Sequence, residues 1–116
     1  MAQYAVFIYE REAELPDEVI QEHVRLPQRI AEKGGRVVAG MAFEPPGTST
    51  AIRGDLLTDG PFIETKEVLG GLFVIEARDL DHALSLAKMT PILSGGVEVR
   101  PLIDFQIVEE ADEADA

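Results

Sequence analysis

Two side chains are best suited by type to move a proton, His23 and Asp59. A histidine titrates near neutrality, so it can take and return a proton at working pH. His23 follows Val19 and Ile20 by four and three residues, at the edge of an apolar helical stripe. From there it could look into a cleft beneath the helix, or it could be a half-buried structural residue. Asp59 precedes Gly60-Pro61. It could orient His23 or accept a proton itself, and equally it could serve its turn by bonding backbone N–H groups. Lys66 and Glu67 could form an exposed ion pair, which adds little stability. Lys66 could instead bind the anionic group of a ligand. Glu98 and Arg100 alternate with valine and proline, so they share one strand face, either as a surface ladder or as part of a cleft. The candidate catalytic pair is therefore His23 and Asp59, and the candidate substrate-binding residues are Lys66, Glu67 and Arg100.

The most informative stretch runs from residue 58 to 71, TDGPFIETKEVLGG. Gly60 opens backbone angles closed to other residues, and Pro61 fixes its own φ and keeps its predecessor out of helix. Such a turn holds its polar side chains in fixed places.

Composition narrows the chemistry. The formal net charge is −12, and Glu109, Glu110, Asp112, Glu113 and Asp115 crowd the end of the chain. So acidic a surface repels nucleic-acid phosphates and anionic lipid headgroups, which disfavours both partners. There is no cysteine, which removes disulfides, thiolate catalysis and cysteine-based zinc sites. Two isolated histidines without H-E-x-x-H spacing make a poor zinc site, and no loop has calcium-binding EF-hand spacing. The glycine pairs 34–35, 70–71 and 95–96 lack the G-x-G-x-x-G nucleotide pattern. Neither a cofactor nor a metal is expected. No stretch approaches the ~20 apolar residues of a membrane span. The start of the chain lacks a signal-peptide pattern, so a cytoplasmic location is expected.

The elements that must position these residues follow from periodicity. Residues 3–9 read as a strand with apolar side chains on both faces. A helix is predicted from about Pro16 or Asp17 to Lys33, with Val19, Ile20, Val24, Ile30 and Ala31 on its apolar face and Gly34-Gly35 as its stop. Pro27 predicts a kink or two shorter helices. A second strand covers 36–43, and 48–58 reads as a small hairpin around Gly54-Asp55. Residues 68–77 form another long strand. Asp79 caps a second helix with Leu80, Ala83, Leu84 and Ala87 inward and His82 facing water. A last strand runs from Val97 to about Ile107. Residues 1–107 are expected to form a single domain, followed by an acidic, disordered tail at 108–116.

This order is βαββαβ with an inserted hairpin, so the fold class is α+β: a ferredoxin-like antiparallel sheet with both helices on one face. The helices cover only one sheet face, whereas Tyr4, Val6 and Ile8 alternate with Ala5, Phe7 and Tyr9. Each large apolar side chain left in water forfeits about 1.5–3 kcal/mol. A second copy covering that face, giving a homodimer, is therefore expected. Alternatively, the hairpin and the C-terminal strand fold over it within one chain.

Taken together, Asp59-Gly60-Pro61-Phe62, Glu64-Thr65-Lys66-Glu67, Leu69-Gly70-Gly71 and Val97-Glu98-Val99-Arg100-Pro101 resemble the DGPF branch of the YCII-related family, over roughly residues 3–103. The resemblance implies a dimeric ferredoxin-like fold, similar to the dimeric α+β barrels, with a cleft between sheet and helices. Most members have no established activity. A first-helix histidine and an aspartate have been proposed as an acid–base pair in the wider family, and His23 matches that histidine in approximate position. The family's aspartate could lie in the second-helix region, but residues 88–94 here contain none. A relative is a dehydrochlorinase of chlorinated hydroxyquinols, and muconolactone isomerases share the broader fold. Genes of the DGPF branch often neighbour or join those of alternative sigma factors.

Two functions are compatible with these residues. One is a small-molecule-binding or regulatory protein, with a sigma factor as a possible partner. The other is a cofactor-independent lyase or isomerase acting on a small lactone or hydroxyquinol-like substrate. In the second, His23 shuttles a proton, Asp59 orients it, and Lys66 or Arg100 holds an oxyanion.

Overall fold

The computed structural model describes residues 1–12, 14–62 and 66–109. Strand β1 (Ala2–Glu10) leads into helix α1 (Asp17–Glu32) and strand β2 (Arg36–Ala42). A hairpin follows, β3 (Thr50–Arg53) and β4 (Leu56–Asp59), and then β5 (Val68–Ala77), α2 (Leu80–Ala87) and β6 (Gly96–Pro101). The main sheet has the order β2-β5-β1-β6, and its neighbours are all antiparallel. This α+β arrangement is compatible with a ferredoxin-like or dimeric α+β barrel fold. The hairpin forms a separate two-stranded sheet. It turns at Gly54-Asp55, as the sequence predicts.

One core lies on one face of the main sheet. Tyr4 and Val6 of β1 and Phe73, Ile75 and Ala77 of β5 meet Leu26 and Ile30 of α1 and Ala83, Leu86 and Ala87 of α2. Both helices therefore pack on the same face. The opposite face carries Ala5 and Phe7, registered with Val74 and Leu72. Ala5 and Val74 are buried within the single chain, whereas Phe7 and Leu72 are half-buried.

The helices depart from their predicted faces. Helix α1 runs as one helix through Pro27, so of the expected kink or two shorter helices the division into two is not seen. Its first turn carries Asp17 and Glu18, which favour the positive end of the helix dipole. Only its second half lies on the sheet, where Leu26 and Ile30 are buried one turn apart, whereas Val24 is 67 % exposed. Val24 and Ala31 are thus on the outside, not in the core. In α2 the buried residues are His82, Ala83, Leu86 and Ala87, and Leu80 and Leu84 are exposed. Small Ala83 and Ala87 let this helix sit close to the sheet, and hydrogen bonds draw His82 inward.

His82 is only 6 % exposed, against the expectation that it faces water. Its Nδ1 accepts from the Arg78 N–H at 3.1 Å, so the proton sits on Nε2, which donates to the Lys33 carbonyl at 2.8 Å. One ring thereby ties the end of α1 to the start of α2. Asp79 caps α2 as predicted, its Oδ1 accepting from the His82 N–H at 2.9 Å.

Strand β6 ends at Pro101, short of the expected Ile107. Its register with β1 explains the stop. Tyr4 faces Pro101 and the Leu102 N–H donates to the Gln3 carbonyl, after which β1 has almost no backbone left to pair. Residues 110–116 of the acidic tail, and Ile63, Glu64 and Thr65 of the polar turn, lie outside the described residues. No helix among the described residues is long and apolar enough to cross a membrane.

Candidate functional site

The first half of α1, lifted off the sheet, roofs a cleft of about 520 Å³. Ile8, Val37, Leu69 and Phe73 contribute apolar walls from the sheet, and Ile20 and Leu26 from the helix. The segment after β2 closes one side with Phe43, Pro45 and Pro46. A concave, mostly apolar cavity of this size with few polar groups is the ordinary form of a small-molecule site.

His23 and Pro27 both line this cleft, one helical turn apart on α1. His23 is half-buried, and no hydrogen bond or ion pair engages its ring among the described residues. Pro27 has no N–H, so the His23 carbonyl also lacks its usual helical donor.

Glu10 also lines the cleft but has a different task. It ends β1 and is only 3 % exposed. Its Oε1 accepts from the Ser94 N–H at 2.7 Å, the Gly95 N–H at 3.0 Å and the Ser94 hydroxyl at 3.1 Å. Its Oε2 accepts from the Leu93 N–H at 2.8 Å. Burial pushes the carboxyl upward, but these donors together outweigh it and hold its pKa below the usual value. Four donors match the acceptor capacity of a carboxylate. Glu10 therefore fastens the loop before β6 to β1, with three donors on Oε1 and one on Oε2. The loop approaches so closely that a Cβ on Gly95 would stand 1.9 Å from the Tyr9 carbonyl oxygen. Nothing local in the sequence signals this partnership, because the bonded residues lie 83 to 85 positions apart.

The other candidate residues lie apart from the cleft. Asp59 ends β4, is exposed, and has no side-chain hydrogen bond among the described residues. The turn beyond it is held by backbone: Gly60 takes a φ of +92° and its N–H donates to the Ser49 carbonyl at 2.7 Å. Lys66 and Glu67 come together at a second, shallower depression with Tyr9, Arg11 and Glu98. There Glu67 lies 3.7 Å from the Arg11 guanidinium. Arg100 donates to Glu98 at 2.6 Å, and its guanidinium stands 5.7 Å from the centre of the Phe7 ring. Both partners of that pair are exposed, so it is a ladder on the sheet face away from the helices. No group of three or more His, Asp or Glu side chains could hold a metal ion among the described residues.

The chain is 30 % identical over 112 residues to an uncharacterised protein of Rhizobium meliloti (strain 1021), covering 85 % of this chain and 90 % of that one. The YCII-related domain matches residues 2–106, nearly the whole of the chain, and the protein belongs to the YCII-related family.

Proposed function

We propose that this protein binds a small organic molecule in the cleft beneath α1, with His23 as the residue that exchanges a proton with it. The carrying observation is the unpartnered imidazole of His23 in an otherwise largely apolar cavity of about 520 Å³. Glu10, the most buried carboxylate of the cleft, is engaged by four donors from the loop before β6, whereas His23 has no such partner among the described residues. The protein works in this reading as a cytoplasmic homodimer of the DGPF branch. The half-buried Phe7 and Leu72 and the exposed Met41 form an apolar band across the uncovered sheet face, and this supports pairing with a second copy.

The same histidine supports a second reading as a cofactor-independent lyase or isomerase. His23 would remove a proton from a bound lactone or hydroxyquinol-like substrate and return it elsewhere. Asp59, Lys66, Glu67 and Arg100 lie outside the cleft of one chain, so the binding reading stands first. Partnership with a sigma factor rests on the resemblance to the DGPF branch.

Thermal melting of wild type and His23→Ala against small lactones, hydroxyquinols and amines tests the site. A ligand at 100 times its Kd raises stability by about 2.7 kcal/mol. A shift present in wild type and absent in the variant is the expected result. A ligand that stabilises both proteins equally would remove His23 from the site.

A further inference from the structure

The groups that line the cleft set the sign of its charge. Among the described residues no lysine or arginine lines the cavity, although the sequence holds ten. The nearest cations on the roof helix are engaged elsewhere: Arg25 and Arg29 both bond Glu22 on the outer surface, at 3.1 and 3.3 Å. The polar side chains that do line the cavity are His23 and three glutamates, Glu10, Glu12 and Glu44.

Glu10 is consumed by the loop before β6, but Glu12 and Glu44 are not. Both are exposed, and neither has a hydrogen bond or ion pair among the described residues. They come from different segments, Glu12 from the connection between β1 and α1 and Glu44 from the turn after β2. The cavity therefore has apolar walls, the His23 imidazole, and two carboxylates without an ion-pair partner among the described residues. The chain's net charge of −12 adds a field of the same sign. An anionic ligand would meet these carboxylates and find no lysine or arginine among the described lining residues.

We infer that the cleft takes a small organic amine: an apolar or aromatic body between α1 and the sheet, and a protonated nitrogen beside Glu12 and Glu44. This rests on the cleft being the ligand site and adds the chemical class of the ligand. It argues against carboxylates and enolates as the bound species, because the cations that could hold them, Lys66 and Arg100, do not line the cavity.

Three probes with one skeleton separate the two claims: naphthylmethylammonium, naphthylmethanol and naphthylacetate. Each is titrated into wild type, His23→Ala and Glu12→Gln/Glu44→Gln, with Kd read by calorimetry. Two surface carboxylates acting together give the ammonium an advantage of about tenfold over naphthylacetate, with the alcohol between them. That advantage shrinks with added salt and falls below about threefold in the double glutamine variant, whose exposed substitutions leave the fold unchanged. Naphthylacetate binding as tightly as the ammonium in wild type overturns the charge assignment while the cleft stands as a site. A preference for the ammonium that survives the double substitution also overturns it. Failure of all three probes to bind removes the cleft reading, and the charge assignment with it.

Discussion

Replacing Glu10 by glutamine changes one oxygen to an NH₂ and almost nothing in shape, yet it should weaken the fold substantially. The glutamine carbonyl is best placed where Oε1 now accepts from the Ser94 N–H, the Ser94 hydroxyl and the Gly95 N–H. The NH₂ then faces the Leu93 N–H, which now donates to Oε2 at 2.8 Å, so a donor meets a donor. Leaving one buried donor unsatisfied costs about 1–3 kcal/mol, and the three surviving bonds lose their ionic character. The expected loss is about 2–4 kcal/mol in urea unfolding at neutral pH. The pH dependence supplies a second check. Because the folded-state pKa of Glu10 lies below its ordinary value, its contribution is complete above the unfolded-state pKa, about 4.3. It drains away as the pH falls through the lower folded-state value. The gap between wild type and Glu10→Gln should thus be widest near neutrality and narrow on acidification. A gap under about 0.5 kcal/mol at neutral pH, or one that widens in acid, would refute the assignment of Glu10 as the clasp of the loop.

Two further outcomes follow from the same structure. His82→Ala leaves the Arg78 N–H and the Lys33 carbonyl without their ring partner and opens a small cavity between the helices; it should cost about 2–4 kcal/mol in chemical denaturation, and a loss under about 0.5 would contradict the bridging role. Sedimentation of the wild type should give twice the chain mass and Phe7→Glu a folded monomer, whereas a wild-type monomer at tens of micromolar would end the pairing proposal.

Strand and helix positions were legible because they depend on near neighbours. The alternation of Tyr4, Val6 and Ile8 with Ala5 and Phe7, the Asp79 cap and the Gly54-Asp55 turn each act within a few residues. The faces of the helices were less legible. Periodicity finds a stripe, but the sheet decides how much of it is covered, and it covers Leu26 and Ile30 while leaving Val24 in water. In α2, periodicity put Leu80, Ala83, Leu84 and Ala87 on one face; the structure buries Ala83 and Ala87 and leaves Leu80 and Leu84 exposed. Pro27 reads as a helix breaker because the sequence shows the lost N–H; it does not show the rest of α1 holding the helix together around that one missing bond.

Of the candidate site, the sequence singled out His23 and missed the companions that define its surroundings. His23 was found because its residue type and its place on a helical stripe are local properties. Glu12 and Glu44 escaped notice because each is an ordinary charged residue in a connection, and only the return of β2 beside β1's partner strand brings both to one cavity. Lys66 and Arg100 drew attention as cations in an acidic chain, but strand parity sends Arg100 to the sheet face away from the helices, where it meets Glu98 and Phe7.

By itself the sequence determined the order of elements, the acidic charge and the absence of thiol chemistry, since composition and short-range periodicity carry all three. Tertiary structure alone decided that Glu10 clasps the loop at 93–95, that His82 is buried between two helices, and that carboxylates but no lysine or arginine line the cleft among the described residues. Those outcomes depend on contacts between residues about fifty to eighty-five positions apart. Side-chain type fixes what such residues can do, but chain closure fixes which of them meet.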